Sequence, residues 1–431
     1  MVSPTGIEYE PGIPPSETRF SQTAALYLRS DDPDRALALA REGIEEHPDN
    51  PIHYFLAGVA YARLDRYEES DAMFVEAEAL YPAYELDIEP EREAAWADAF
   101  NQGVEAVGGG DTEGAIEAWM GATRIFNLRP EAHRNLAQLL ADEGRYGEGA
   151  DVLRDGLEGL GDRPATRVLE EEELREREDD RRRMERELAD FLMIAERYEE
   201  AEPFLRARLE RDSADVDVRR DLAASLLEQG RRAEAEDIYD ELLSEDELEG
   251  TQIYNLGVSL FRTGDYARAA SAFRRLTERR PQSRDAWFNY ANALFAHQAW
   301  EDLLPVAARL LELDPLSENA ALIEARTHLE LDDEEAAVER LAALEALPVQ
   351  VEGLVMRSGA GSTTVEGLLT GNLAEPGTPI RLRFTFHSDG ERLGSREVEM
   401  PAPPEGESEP LHVEYEERAT SYSYELVSSG S

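Results

Sequence analysis

Two consecutive stretches decide the fold: residues 250–281 read GTQIYNLGVSLFRTGDYARAASAFRRLTERRP, and residues 284–315 read RDAWFNYANALFAHQAWEDLLPVAARLLELDP. Equivalent positions in the two stretches are 34 residues apart, and both stretches end at a proline. Each stretch contains two runs of apolar residues at helical spacing, which predicts a pair of amphipathic helices. The final proline stops the second helix, because its ring cannot continue the hydrogen-bond ladder. The chain is therefore predicted to repeat a helical hairpin.

The same interval of 34 residues organises the second half of the chain. Small side chains, which allow two helices to approach closely, recur in two series at this interval. Gly230 and Gly264 fall where a tight turn needs a backbone conformation that other residues resist. The first series is Ala189, Ala223, Gly257, Ala291 and Ala325, and the second is Ala201, Ala235, Ala269 and, after twice the interval across Leu303, Ala337.

Extending this register predicts about nine units, which begin near residues 17, 51, 96, 130, 182, 216, 250, 284 and 318. Two wider gaps mark insertions, and the first, at about residues 84–95, is predicted to lengthen a helix. The second insertion mixes Glu and Arg three or four positions apart, which favours a solvated helix over a basic binding patch. The resulting domains are a Pro-rich N-terminal segment (1–16), units one to four (17–164), a charged helical insertion (165–181), units five to nine (182–348) and a carboxyl-terminal module (349–428).

The repeated unit resembles the tetratricopeptide repeat, whose pattern is Trp, Leu-Gly, Tyr, Ala, Phe, Ala and Pro. The best match consists of Tyr254, Asn255, Leu256, Gly257, Gly264, Asp265, Tyr266, Ala269, Phe273 and Pro281. The resemblance implies a mainly α-helical protein, in which the hairpins stack into a right-handed α–α superhelical solenoid. It also implies a concave face that is lined by the first helix of each hairpin and is used for binding.

After Pro348 the pattern changes from helical spacing to alternation, most clearly in residues 380–386, IRLRFTF. Similar runs, separated by Gly, Pro and Ser, predict a small all-β sandwich of the immunoglobulin-like kind. The segment 384–393 resembles the central hairpin of FxLYD-type domains and differs from it at His387 and Ser388. The other alternating runs are residues 349–356, 364–370, 411–415 and 422–426.

The charge balance is strongly acidic, with 94 Asp and Glu against 44 basic residues and a formal net charge of -50. No lysine occurs, so every one of these basic residues is an arginine. Such a chain repels nucleic acid, whose binding depends on clustered cations. It also repels itself, and high salt screens this repulsion. The composition therefore predicts a protein of a halophilic bacterium, with an acidic protein of an Arg-rich genome as the alternative.

The sequence leaves two cellular locations open. The chain contains no cysteine, no apolar run long enough to span a bilayer, and no basic and apolar leader at the N-terminus. If Met1 is the natural start, the protein is expected in the cytoplasm. If a signal peptide has been removed, the periplasm or the cell envelope is expected, with the Pro-rich segment as a tether.

No motif for catalysis, a cofactor or a metal is found in the sequence. The seven histidines form no His-x-x-x-His or His-Glu-x-x-His pair. The run from Gly108 to Asp111 lacks the lysine of a phosphate-binding loop, and the register assigns it to an inter-helix turn. The chain is therefore predicted to be no enzyme and to take no small-molecule substrate.

Aromatic residues concentrate in the first helices of units seven and eight, where the family geometry turns a set of side chains toward the groove. Aromatic rings beside one Arg and one Asn suit an apolar or extended peptide, although such rings also pack between repeats. A clamp for a terminal carboxylate is not supported, because Asp285 and Asn289 stand where cations would be needed. The candidate groove residues are Tyr254, Val258, Phe261, Arg262, Phe288, Asn292 and Phe295.

Two functions stay open on this basis. The favoured one is a non-catalytic scaffold that binds a protein or peptide segment in the concave groove. The alternative is an exported, lipoprotein-like structural or assembly component of the cell envelope. Self-association through the repeats is compatible with both, and neither identifies the partner.

Overall fold

The protein is described by a computed structural model. Two of the expectations above reach residues outside the described part, namely Asp389 in the predicted hairpin and residue 428 at the end of the predicted sandwich. The chain divides into two compact units, residues 1–211 and residues 212–431, and each is described by itself. The structure describes residues 2–162, 164–359, 361–388 and 390–427.

The first unit is an array of helical hairpins whose helices begin at recognisable caps. The Asp32 carboxylate accepts a hydrogen bond from the Arg35 amide, and the following proline starts helix α2. Such a side chain satisfies an amide that has no partner within the helix. The helices are α1 (Arg19–Arg29), α2 (Pro33–Glu46), α3 (Pro51–Ala62), α4 (Tyr67–Leu80), a short 3-10 helix (Pro82–Tyr84), α5 (Glu85–Gly109), α6 (Thr112–Ile125), α7 (Pro130–Asp142), α8 (Tyr146–Gly159), α9 (Glu171–Ile194) and α10 (Tyr198–Arg211).

Helices α5 and α9 are about twice as long as their neighbours, with 25 and 24 residues. Helix α5 starts at Glu85, within the sequence predicted to lengthen a helix. Helix α9 starts at Glu171, within the charged stretch, and its first buried side chain is that of Met184. The repeat register therefore resumes inside each long helix.

The turn inside every hairpin contains one residue with a left-handed backbone conformation, and these residues follow the repeat register. Four of them are glycines, such as Gly264 with a φ of 80°. The other five carry side chains, such as Gln298 with a φ of 59°. Because this conformation crowds a Cβ atom, the non-glycine turns are less favourable. Within the described residues the series is Asp31, Asp65, Gly110, Gly144, Glu196, Gly230, Gly264, Gln298 and Asp332.

The small residues of the repeat make room for an aromatic ring of the second helix. A Cβ atom added at Gly257 would lie 2.6 Å from Cε1 of Phe273, and one added at Gly58 would lie equally close to Phe74. Both rings are buried. The glycine thus lets the first helix approach the ring face closely, which explains the small residue in the repeat pattern.

The second unit is also an array of helical hairpins, and it ends in two antiparallel sheets. Among the described residues of the whole chain there are eighteen α-helices, or nine hairpins, followed by six strands. The helices are α11 (Val216–Glu228), α12 (Arg232–Ser244), α13 (Gly250–Arg262), α14 (Tyr266–Arg279), α15 (Arg284–His297), α16 (Trp300–Leu313), α17 (Glu318–Glu330) and α18 (Glu334–Glu345). The strands are β1 (Val349–Ser358), β2 (Thr363–Gly371), β3 (Pro379–Ser388), β4 (Glu391–Pro401), β5 (Ser408–Tyr415) and β6 (Ser421–Leu426).

The two sheets have the strand orders β1-β2-β5 and β4-β3-β6, and all pairs are antiparallel. Alternating side chains of both sheets point into one shared core, which contains Val351, Val365 and Phe384. Leu316, from the turn between α16 and α17, also packs into this core. The predicted small all-β sandwich is confirmed, and a loop of the helical array completes its core.

No helix among the described residues combines the length and the apolar character needed to cross a membrane.

Candidate binding groove

The candidate residues lie on the first helices of the hairpins, opposite the buried faces of those helices. In α13 the buried face consists of Ile253, Leu256, Gly257 and Leu260, which pack within the array. Helical spacing therefore turns Tyr254, Val258 and Phe261 away from this face.

The α13 candidates are partly occupied by contacts within their own hairpin. The Tyr254 side chain is 41% exposed, and its ring meets that of Phe273 edge to face at a centroid distance of 6.3 Å. The half-buried Phe261 ring contacts Tyr266 in the same way at 5.1 Å. Val258 is half-buried and Arg262 is exposed. These four residues line none of the cavities described below.

The α15 candidates come together in a cavity of about 510 Å³ between α15 and α17. Phe288, Asn292 and Phe295 line it from α15. The Phe295 side chain is 36% exposed and rests edge to face on Trp300, with ring centroids 5.2 Å apart. The volume is within the usual range for binding pockets. The structure therefore unites three of the seven candidates and leaves the other four outside.

The opposite wall of this cavity consists of residues that the sequence analysis did not nominate. Leu322 and Leu329 of α17 are 42% and 43% exposed, and Arg326 lies between them. These three residues follow Phe288, Asn292 and Phe295 by one repeat of 34 residues. The repeat register could have identified these residues, but the candidates were chosen for their aromatic side chains, and the two leucines were therefore not named. The remaining lining residues are Asn319, Ile323, Ala325 and Leu341.

Arg284 supports the Phe288 end of the cavity. Its guanidinium lies 5.1 Å from the centroid of the Phe288 ring. The same group donates hydrogen bonds to Asp314 (2.7 Å) and Asp285 (2.8 Å). Burial by itself would lower the pKa of Arg284. The negative charge of Asp314 beside it outweighs this effect, so the pKa of Arg284 is raised above its usual value. Arg284 is therefore held as a cation against the ring, a favourable arrangement.

The Phe295 end of the cavity adjoins an acidic turn, which we define as Glu330 and residues 332–335. Glu330 pairs with Arg326 at 2.5 Å. The Asp333 carboxylate accepts a hydrogen bond from the Ala336 amide and so caps α18. Asp332, Glu334 and Glu335 are exposed, and no ion pair is formed by them among the described residues. This end of the cavity is therefore negatively charged.

A carboxylate clamp is also incompatible with the local contacts. Asp285 is paired with Arg284, and the Asn289 amide donates a hydrogen bond to the Asp285 carbonyl oxygen at 2.7 Å. Both side chains are thus engaged within α15. A peptide carboxylate would meet the charge of Asp285 instead of a cation.

A second cavity, of about 900 Å³, lies in the first unit, where side chains of the second helices form much of its lining. The Arg92 guanidinium bonds to Asp71 and lies 3.6 Å from the Glu78 carboxylate. Burial raises the pKa of Glu78 despite this cation. Such a lining disfavours an apolar segment, which leaves the α15–α17 cavity as the better candidate. The carboxylates of the lining are Asp71, Glu78, Glu85, Glu89, Asp155, Glu158 and Asp162.

The glycine-rich run from Gly108 to Asp111 lies only partly in the predicted turn, because Gly108 and Gly109 belong to the last turn of α5 and the inter-helix turn begins at Gly110. Gly110 ends α5 with a φ of 78°, and the Asp111 carboxylate accepts a hydrogen bond from the Gly114 amide at the start of α6. The local geometry is that of an inter-helix turn with a capped helix start.

Stacked helical hairpins with a partly apolar cavity between first helices define the class of helical repeat proteins. Family models of the tetratricopeptide repeat match residues 22–85, 100–164, 192–256 and 254–318. The matched ranges together cover more than half of the chain, so the chain belongs to the tetratricopeptide repeat family. Repeats of this kind generally serve as protein–protein interaction scaffolds and are typical of non-catalytic proteins.

Solved structures that match this chain include MamA from Desulfovibrio magneticus RS-1, which is 16% identical with a TM-score of 0.31, and the match covers 38% of this chain and 92% of that chain. The tetratricopeptide domain of P58(IPK) is 12% identical with a TM-score of 0.28, and the match covers 76% of this chain and 92% of that chain. No curated protein matches the sequence.

Proposed function

We propose that the protein is a non-catalytic scaffold that holds an apolar segment of a partner protein in the α15–α17 cavity. The observation that carries this proposal is the exposure of Phe295, Leu322 and Leu329 around one concave site. Each is a large apolar side chain with about two fifths of its surface exposed, so a partner that covered it would gain roughly 0.6–1.2 kcal/mol, about two fifths of the value for a fully exposed side chain.

Three features support this cavity over the wider groove named from the sequence. Its two walls carry equivalent apolar residues, whereas α13 contributes no lining residue. Asn292 and Asn319 supply amide groups that can hydrogen-bond a backbone or a polar side chain. Arg284, whose guanidinium lies over the Phe288 ring, holds that ring in place, so the ring loses little further freedom when a partner binds.

The experiment is affinity capture from cells at high salt, followed by mass spectrometry, with the wild-type chain and the double variant Phe295→Ala/Leu329→Ala. The double variant is expected to lose the specific partner while its circular dichroism and melting temperature stay close to wild type. Leu368→Ala is the matched control, because Leu368 of β2 is a leucine of 42% exposure that does not line the cavity. Retention of the partner by the double variant would reject the cavity as its binding site.

For the carboxyl-terminal sandwich we infer an immunoglobulin-like module of the FxLYD type. Its strand orders correspond to A-B-E in one sheet and C′-C-F in the other, if β1 to β6 are taken as A, B, C, C′, E and F. Such a module is compatible with the alternative function, an exported component of the cell envelope. A signal sequence with a lipid-attachment cysteine in the gene would support that alternative and an envelope location.

We further infer that the acidic surface is an adaptation to high salt in a halophilic bacterium. The support is the net charge of -50 and the use of arginine as the sole basic residue type besides histidine. Many of the arginines form exposed ion pairs with carboxylates three or four positions away, such as Arg145 with Glu148. Such pairs contribute little individually, so they do not offset the overall repulsion.

A further inference from the structure

The α15–α17 cavity has two apolar ends with a polar middle. Phe288 and Phe295 of α15 are seven residues apart, and so are Leu322 and Leu329 of α17. Seven residues of α-helix correspond to about 10 Å along the helix axis. Asn292 and Arg326 lie between the two apolar ends on their respective helices.

This spacing selects the conformation of the segment that fits. An α-helix presents residues i and i+7 on one face about 10 Å apart, which matches the two apolar ends. An extended strand presents same-face residues about 7 or 13 Å apart, so its side chains would match one end and miss the other. A helix lying along the α15–α17 seam would also place residue i+4 opposite Asn292 and Arg326.

The charges around the cavity differ between its two ends. At the Phe295 and Leu329 end, the exposed carboxylates of Asp332, Glu334 and Glu335 form no ion pair within the described residues. At the Phe288 end, Arg284 neutralises the buried Asp314 and bonds to Asp285. One cation for two carboxylates leaves a single negative charge at the Phe288 end, so basic residues of a partner are attracted more strongly to the Phe295 and Leu329 end.

From this spacing and charge we propose that the occupant is an amphipathic helix of a partner protein, with apolar residues at i and i+7 and a cluster of Lys or Arg at the end that reaches the acidic turn. The proposal rests on the proposed function, because it describes what binds in the same cavity. It adds a helical conformation, a spacing and a charge, each of which can be tested separately.

The probes are fluorescein-labelled synthetic peptides of about 16 residues that form helices and carry leucine at i and i+7 and glutamine at i+4. Three lysines follow the second leucine in one version and precede the first in another, so that both orientations are covered. One comparison peptide has a central proline, which breaks the helix. Another replaces the lysines by glutamates, and a third places the leucines at i and i+5. Binding to the full chain is measured by fluorescence anisotropy.

At least one lysine version is expected to bind, and the proline, glutamate and i+5 peptides are expected to bind at least tenfold more weakly. The variant Asp332→Asn/Glu334→Gln/Glu335→Gln should weaken the lysine peptide severalfold, make its affinity less dependent on salt, and leave a neutral-flanked peptide unchanged. Asp333 is kept because it caps α18.

Equal binding of the proline peptide would overturn the helical occupant, and an unchanged lysine peptide in the triple variant would overturn its basic end. Failure of every peptide to bind at millimolar concentration would also reject the inference. These outcomes differ from failure of the proposed function, in which the natural partner stays bound to Phe295→Ala/Leu329→Ala.

Discussion

Tyr424 of β6 donates a hydrogen bond to the buried carboxylate of Asp314 in the turn between α16 and α17, at 2.6 Å from Oη to Oδ1. The other oxygen of Asp314 accepts from Arg284, whose guanidinium lies over the Phe288 ring of the candidate cavity. The sandwich and the last hairpins of the second unit are thus joined by a buried polar network. One end of this network supports a proposed binding residue.

Removing the hydroxyl group by Tyr424→Phe is expected to destabilise the second unit by about 1.5–3 kcal/mol, because Asp314 loses a charge-assisted hydrogen bond in a buried place. Urea unfolding monitored by tryptophan fluorescence measures this change. Tyr415→Phe is the control, since its exposed hydroxyl donates only a long hydrogen bond of 3.4 Å to Glu417. Equal effects of the two substitutions would contradict the importance of the buried network.

Acid should destabilise the first unit through His133. Burial lowers the pKa of His133 from 6.5 to about 4, because the buried ring disfavours the charged form. The unfolded state therefore binds more protons between these two pH values. The contribution of neutral His133 is fully present above about pH 6.5 and decreases by up to about 3 kcal/mol as the pH falls to about 4.

The variant His133→Gln isolates this effect from the many carboxylates. Its free energy of unfolding, measured in urea at pH 7 and pH 4.5, should decrease less on acidification than that of the wild type. The same decrease in both proteins would mean that His133 is not the group responsible.

The left-handed turns provide a stabilising substitution. Gln298→Gly is expected to stabilise the second unit by about 0.5–1 kcal/mol, because glycine adopts a φ of 59° without crowding a Cβ atom. Gly264→Ala, at the equivalent position one repeat earlier, should destabilise it by a similar amount. Melting temperatures of both variants test the pair, and a lower melting temperature for Gln298→Gly would contradict the argument.

Two glycines in helices should respond oppositely to alanine. Gly257→Ala should destabilise by about 1–3 kcal/mol, because the new Cβ would lie 2.6 Å from the buried Phe273 ring. Gly108→Ala meets no atom within 4 Å and should stabilise α5 by about 0.5–1 kcal/mol. The melting temperatures of the two variants are measured, and the expected result is a decrease for Gly257→Ala and an increase for Gly108→Ala. An increase for Gly257→Ala would refute the packing explanation.

The repeat could be predicted from the sequence because each hairpin needs the same small and large residues at the same places. Helix starts at Pro51, Val216 and Glu318 fall where the register put them. Glycine predicted the left-handed turn conformation at Gly230 and Gly264. The same conformation at Glu196 and Gln298 could not be predicted, because these residues rarely adopt it. There the tertiary packing of two helices imposes a conformation that the local residue disfavours.

Other features could not be read from local patterns. Strand β4 was not predicted as a separate run, because charged and small residues separate Leu393 from Val398 and Met400, the side chains that pack against the sandwich core, and the apolar alternation is therefore incomplete. The contact between Tyr424 and Asp314 joins residues 110 positions apart. In the cavity, Phe288 and Phe295 were named from their aromatic rings, whereas Leu322 and Leu329, which the repeat register could have identified, were not named because they are not aromatic.

Salt should stabilise the chain if its acidic surface is an adaptation to a saline environment. Raising KCl from 0.1 M to 1 M shortens the screening length from about 10 Å to about 3 Å, which weakens the repulsion among carboxylates. The melting temperature should therefore rise with KCl. A flat or falling melting temperature would contradict the halophilic origin. Sodium sulfate is not used as the salt, because sulfate strengthens the burial of apolar surface in any protein.

Photo-crosslinking tests the binding cavity most directly. Benzoylphenylalanine is introduced at Leu329 in the cavity and, as a control of matched residue type and exposure, at Leu368 in the sandwich. Illumination in cells should join a single partner protein to the chain substituted at position 329 and not to the one substituted at position 368. A partner joined equally at both positions, or joined at position 368 alone, would contradict binding between α15 and α17.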